Sequence, residues 1–207
     1  MTKDVLPARK PFRPHKMMSD LRQQILSTAK TLLIKHGYHG LSMRQIAEAV
    51  GVSKAALYYH FKDKEELLLA ILVDYLEEIE AVIDEAQAEG GDSRQQVFLL
   101  IKGVLSQPVE QRALIRLSSQ EMAQLSVPAR AAFNRAYHEK FIDKIRGLLS
   151  AGMDKGELRS IDPDVATWTL LGMMYPYFYP AHTADVPPPS GVTEQLASIY
   201  LDGMASG

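Results

Sequence analysis

Along most of this chain apolar residues recur at intervals of three and four, and no run alternates as a half-buried strand would. Leu67, Leu68, Ile71, Leu72, Tyr75, Leu76, Ile79, Val82 and Ile83 keep this spacing for some six turns, predicting one long helix over 64–88. An earlier stripe of Leu21, Ile25, Ala29, Leu32 and Leu33 predicts a helix over 19–36, stopped by Gly37. Between the two lies LSMRQIAEAVGVSKAALYYHFKDKEELL, residues 41–68. Ser42 with Gln45 has the spacing of a capping box, and Ile46 with Val50 gives the helix that follows one apolar face. Gly51 stands where the chain must turn sharply. Ser53 caps a second short helix through about His60, anchored by Val52 and Leu57. Asp63 with Glu66 opens the third. Two short helices joined by a tight turn make a helix-turn-helix, with Lys54 to His60 as the reading element.

The second half is punctuated as clearly. Asp92 caps a helix to about Ser106, and Pro108 starts a short one through about Gln124. Pro128 falls in the first turn of a long helix ending at Gly156, which carries Phe133, Tyr137, Phe141, Ile145, Leu148 and Leu149. Asp162 and Pro163 open another, and a last helix is expected over 191–201. The fold class is all-α. The expected domains are a flexible basic arm at 1–17, a DNA-binding unit at 18–63 and a helical bundle at 64–207.

Charge sharpens this picture. The chain of 207 residues has a formal net charge of −2. Residues 1–62 nevertheless hold 11 Lys/Arg against 3 Asp/Glu, and the remainder 12 against 22. A basic end on an acidic body points to a polyanionic partner at that end. Lys3, Arg9, Lys10, Arg13 and Lys16 make the arm basic, while Pro7, Pro11 and Pro14 are expected to keep it non-helical. It is either a solvated tail or a segment that lies along DNA. Cysteine is absent, which excludes disulfides, thiolate zinc sites and cysteine nucleophiles. No export signal is expected at the N-terminus, and the uncharged run Val165–Ala184 is broken by Pro176 and Pro180, so no membrane span is expected. A cytoplasmic protein is the expectation. The six histidines lack ligand spacing, and no nucleophile elbow, P-loop or His-Glu-x-x-His occurs, so neither enzyme, metal nor cofactor is expected.

The Ala47, Gly51, Ser53 series followed by LYYHFKDKEELL resembles the N-terminal domain of the tetracycline-repressor (TetR) family. LLGMMYPYFYPA, a loop and a short final helix resemble the C-terminal helix pair of its members. The resemblance implies a transcriptional regulator, most often a repressor released from a palindromic double-stranded operator by a small effector. It places DNA contacts at Met43, Arg44, Ser53, Lys54, Ala55, Ala56, Tyr58, Tyr59, His60 and Lys64. Of these, Arg44 suits either a bidentate guanine contact or a phosphate clamp. Lys54 must carry most polar readout, because Ala55 and Ala56 offer only apolar contact. Tyr58, Tyr59, His60 and Lys64 match phosphate contacts, although one of the tyrosines fits the core equally well.

The acidic body is rich in methionine and aromatics, which suit an adaptable apolar site. Met122, Phe133, Tyr137, Phe141, Trp168, Met173 and Tyr177 are the candidate lining, although any one of them taken alone reads as an ordinary core residue before a ligand contact. The expected effector is apolar or aromatic, with fatty acyl or acyl-CoA molecules implied by the C-terminal resemblance. A homodimer is expected through Leu170, Leu171 and Met174 with Leu196, Ile199 and Tyr200. The alternative is a helical carrier of apolar ligands, or a partner-binding protein, without a DNA role.

Overall fold

The computed structural model describes residues 14–89, 91–108, 121–178 and 190–203, all helical or connecting, with no strand among them. The DNA-binding end holds α1 (Pro14–His36), α2 (Met43–Val50) and α3 (Lys54–His60). Then come α4 (Lys64–Ala88), α5 (Ser93–Leu105), α6 (Val127–Tyr137), α7 (Asp143–Asp154), α8 (Pro163–Met174) and α9 (Val192–Gly203). The first helix begins five residues earlier than its apolar stripe suggests. Pro14 takes its first position, where the missing N–H costs nothing, so the end of the expected arm is helical. The rest of that arm, most of the helix expected from Pro108 to Gln124 and the loop before α9 lie outside the described residues.

The punctuation works as its chemistry requires. Ser42 Oγ accepts from the N–H of Gln45, whose Oε1 accepts from the N–H of Ser42 at 2.9 Å, so the capping box is complete. Gly51 adopts φ 79°, and the N–H groups of Gly51 and Val52 both close on the carbonyl of Ala47. Ser53 Oγ accepts from Ala56 at 3.1 Å. Asp63 caps α4 through the N–H of Glu66, while the Glu66 carboxylate turns back to the N–H of Lys62 rather than to the cap itself.

One helix joins the two halves. α4 packs on α1, and also on α5, α6 and α7. Its buried row runs from Leu67 through Ile71, Tyr75, Ile79 and Ile83 to Ala86. α5 in turn meets α7 and α9, and α8 meets α7 and α9, completing the bundle. Tyr200 on α9 donates its hydroxyl to the Ala166 carbonyl at 3.0 Å, fixing α9 against α8.

The helix expected as one piece from Pro128 to Gly156 is continuous but contains a π-helical turn, His138–Ile142, between α6 and α7. Such a turn inserts a residue and re-aims the side chains beyond it. Here Lys140 and Lys144 reach the acidic edge of α4. Lys140 Nζ lies 2.8 Å from Glu80, and Lys144 Nζ lies 2.7 Å from Asp84. The Lys140 bond, aided by Lys144, holds the Glu80 carboxyl below its ordinary range.

Candidate functional site

The DNA-facing side is built by α2 and α3. Their buried residues are Met43, Ile46, Ala47, Val50 and Leu57, which with Phe61 pack against α1 and α4. Met43 therefore belongs to the core, 7% exposed, and its place as a base contact is corrected. It begins α2, but helical spacing puts it on the same face as Ile46, Ala47 and Val50. What remains outside is Arg44, Ser53, Lys54, Ala55, Tyr58 and Tyr59, with Ala56 and His60 half-buried.

Neither tyrosine is core. Tyr59 is 72% exposed and Tyr58 42%, and Leu57 alone carries the inward face of α3. Lys54 Nζ stands 5.6 Å from the centre of the Tyr58 ring, a cation–π distance that steadies its long stem at the exposed edge. Arg44 Nε binds the Glu48 carboxylate at 2.8 Å. That leaves its two terminal nitrogens for a base edge or a phosphate. Lys62, exposed in the link before α4, is a basic residue on this side that sequence reasoning passed over.

Lys64 is engaged differently from the expected phosphate contact. Its ammonium donates to the carbonyls of Tyr38 at 2.7 Å and Leu41 at 2.8 Å, and lies 4.1 Å from the Tyr38 ring centre. It thereby ties the start of α4 to the link that enters α2. Two further bonds join this corner to the body: the Tyr38 N–H to Glu121 at 3.0 Å, and Ser126 Oγ to the Glu65 carboxylate. Burial, with Glu65, Asp63 and Glu121 nearby, pushes the Tyr38 phenol up.

These geometries separate the basic residues by experiment. Arg44→Ala and Lys54→Ala should cost about 1–3 kcal/mol at particular base pairs and relax discrimination there. Lys64→Ala should instead lower folding stability by about 1–3 kcal/mol, because it strands two carbonyls in a half-buried corner. The checks are binding to a panel of single-base operator variants and urea unfolding. A salt slope lowered by about one on Lys64→Ala, with stability unchanged, would return that ammonium to a phosphate.

The second site is a cavity of about 400 Å³ in the body. α4 supplies Leu72, Tyr75, Leu76 and Ile79; α5 supplies Val104; α6 and the π turn supply Phe133, Tyr137 and Phe141; and α8 supplies Trp168, Leu171 and Gly172, with Tyr175 just beyond. Its size and its apolar, aromatic walls suit a small-molecule site. The Phe133 and Tyr137 rings stack 6.1 Å apart, and Phe141 lies 5.5 Å from Tyr137. Burial raises the Tyr137 phenol, and no lining side chain is charged.

Four expected lining residues, Phe133, Tyr137, Phe141 and Trp168, are brought together here. Met122, Met173 and Tyr177 are not, and this is a correction. On α8 the cavity side is 168, 171, 172 and 175, so Met173 turns about 100° away from it. Met122 sits in a 3-10 turn beside Glu121, and Tyr177 lies in the 3-10 turn beyond α8. The whole α4 wall was missed, because its residues read as core in the sequence.

The expected dimer residues also divide. Leu170, Met174, Leu196 and Tyr200 are buried inside the subunit's own bundle, which removes them from any outer face. Leu171 lines the cavity. Ile199 is exposed, and so are Val165, Trp168 and Gly172 on α8 and Tyr175 just beyond it, the last three also lining the cavity where it opens to the surface. α8 is apolar nearly all round, so periodicity could not say which side the bundle would claim.

A helix-turn-helix with an exposed basic edge, joined by one long helix to a bundle with an apolar cavity, defines a ligand-responsive DNA-binding regulator. The comparisons with known proteins agree. Residues 25–71 match the model of the bacterial regulatory proteins of the tetR family, and residues 90–176 match a tetracyclin repressor-like C-terminal domain. The transcriptional repressor AcnR of Corynebacterium glutamicum is 31% identical over 72% of this chain and 75% of its own. The transcriptional repressor KstR2 of Rhodococcus jostii is 28% identical over 91% of this chain and 93% of its own. The crystal structure of AibR in complex with isovaleryl coenzyme A and operator DNA superposes with a TM-score of 0.66, at 25% identity over 90% of this chain and 98% of that one. This chain belongs to the tetR family of bacterial transcriptional regulators. The alternative of a carrier without a DNA role is thereby set aside. No described helix is long and apolar enough to cross a membrane.

Proposed function

We propose that this protein is a cytoplasmic repressor that acts by binding alone. As a homodimer it grips a palindromic operator with two copies of α3, and it lets go when an apolar acyl-type molecule enters the cavity. One observation carries this reading. The wall of the cavity is α4, and the first turn of α4 is the turn that Lys64 fastens to the DNA-binding end. Residues 72–79 lie roughly 12–22 Å along the helix axis from Lys64, at 1.5 Å per residue. A ligand wedged between α4 and the Phe133–Tyr137–Phe141 row moves that helix as a rigid rod, and the reading helices move with it. The pressure point is the middle of α4 rather than its far end, since Ile83 lies off the cavity.

The acyl class is favoured by the walls, which hold no cation to pair with a buried anion, and by the isovaleryl coenzyme A held by the AibR relative. Repression is favoured by the AcnR and KstR2 relatives, both named repressors. The test begins with genomic fragments that the protein selects, which define the operator. Acyl thioesters of graded length are then titrated against the fluorescence of Trp168 and against a labelled operator. Release of DNA in step with the Trp168 signal is the expected result. A thioester that perturbs Trp168 tightly and leaves operator affinity unchanged would refute the switch.

A further inference from the structure

Of the twelve residues that line the cavity, only Trp168, Gly172 and Tyr175 are exposed, so the cavity opens to the surface along one side of α8. Trp168 is 51% exposed and Tyr175 52%. Gly172 comes four residues after the first and three before the second, and the three therefore share one helical face. A glycine inside a helix is destabilising relative to alanine. Neither of the usual reasons calls for it here. Its backbone is helical and not left-handed, and a Cβ at this position would have no heavy atom within 4 Å. What the missing side chain does is leave the rim of the cavity open between Trp168 and Tyr175.

We propose that Gly172 is the portal of the cavity and the residue that admits a two-part effector: an apolar chain lies inside, and a large charged head, such as the coenzyme A of an acyl thioester, stands outside in water between Trp168 and Tyr175. The proposal rests on the reading of this cavity as the effector site. The lining holds no Lys, Arg, His, Asp or Glu, so phosphates drawn inside would be desolvated without a partner. The chain, by contrast, gains by leaving water, and the walls given by α4 and α6 are aliphatic and aromatic. A molecule carrying both parts is accommodated when its head stays on the wet side of the rim. A side chain at 172 would project from the face that Trp168 and Tyr175 share, into the passage such a molecule must straddle. A small ester lies wholly inside and needs no open passage once bound. Gly172 stands about 10 Å further along α8 than Val165, so the mouth and the exposed residue at the start of that helix occupy different stretches of it.

The experiment uses the full chain, its Gly172→Leu variant and a Gly147→Leu control, with octanoyl-CoA and methyl octanoate as calorimetric probes that share one chain and differ in the head. Gly147 lies exposed on α7, outside the lining, and a Cβ there also has nothing within 4 Å, so its replacement reproduces the helical effect away from the mouth. The wild-type protein is expected to bind both probes. In Gly172→Leu, octanoyl-CoA should lose roughly tenfold or more in affinity relative to methyl octanoate, the size of an overpacked contact. In Gly147→Leu the ratio of the two affinities should stay as in wild type. Both variants should unfold at the urea concentration of wild type or higher, since leucine replaces glycine inside a helix, which separates a closed mouth from a damaged fold. If Gly172→Leu weakens the two probes alike, or weakens neither, the proposal is overturned while the cavity remains an effector site. It is also overturned if the wild-type protein binds the ester and refuses octanoyl-CoA, because no head then stands outside. If neither probe binds the wild-type protein, the effector reading fails and this inference falls with it, a pattern distinct from the others.

Discussion

A Val165→Glu, Ile199→Glu double variant is expected to sediment as a monomer and to lose specific operator binding by roughly a thousandfold or more, the usual gap between specific and non-specific DNA affinity. The expectation follows from how little one subunit can read. α3 is seven residues long, and it begins with Lys54 followed by two alanines that can offer only apolar contact. One such helix covers a few base pairs, so specificity requires a second copy about one helical turn away, with a two-fold axis matching the palindrome. Val165 at 56% exposed and Ile199 at 64% lie on the outer faces of α8 and α9, and neither lines the cavity. Opposed across a two-fold axis, four introduced carboxylates would meet in a face that isolated subunits solvate without penalty. The fold should therefore survive while the pairing fails. Sedimentation and a salt-dependent operator titration check both halves. A variant that stays dimeric places the interface on another surface.

How legible was this arrangement in the sequence? The features that could be read were the local ones. Ser42 with Gln45, Gly51, Ser53 and Asp63 each act through backbone atoms within four residues, so their spacing announces their structure. The reading helix Lys54–His60 and the long helix from Lys64 came out with the expected bounds for the same reason. The features that could not be read depend on partners distant in sequence. Nothing near Lys64 says that the carbonyls of Tyr38 and Leu41 will take its ammonium. Leu170 and Met174 have the same chemistry as Val165 and Trp168, and only the packing of α9 and α7 decides which pair is covered. The Leu72–Ile79 row is a core stripe by pattern. It becomes a cavity wall because the space between it and the Phe133, Tyr137 and Phe141 row stays open, which only the packing of helices distant in sequence decides. The resemblance puts Met43 at the DNA, whereas its four-residue spacing to Ala47 puts it on the inward face of α2.

The distinction between core and cavity also determines how the switch can be disabled without touching DNA. Val104, 2% exposed on α5, lines the cavity and is the smallest branched residue in the lining. Val104→Phe would place a ring in space that is otherwise open, which fills rather than overpacks, so stability should hold or rise. The same ring occupies the volume an effector needs. Operator affinity without ligand should remain at the wild-type level, because Arg44, Lys54 and the Lys64 latch are untouched. The effector should then no longer release DNA. Coupling of this kind is typically worth about 1–3 kcal/mol, so a wild-type drop of about 5- to 150-fold in operator affinity should shrink to none. The reason is one of linkage: a ligand shifts an equilibrium only by its difference in affinity for the two states, and a molecule excluded from both shifts nothing. Titration of the same acyl thioester against wild type and Val104→Phe on a labelled operator makes the comparison. If Val104→Phe still releases DNA at the wild-type ligand concentration, the effector acts from a site other than this cavity. If the variant releases DNA with no ligand at all, the ring itself has moved α4, which would locate the switch in that helix even more directly.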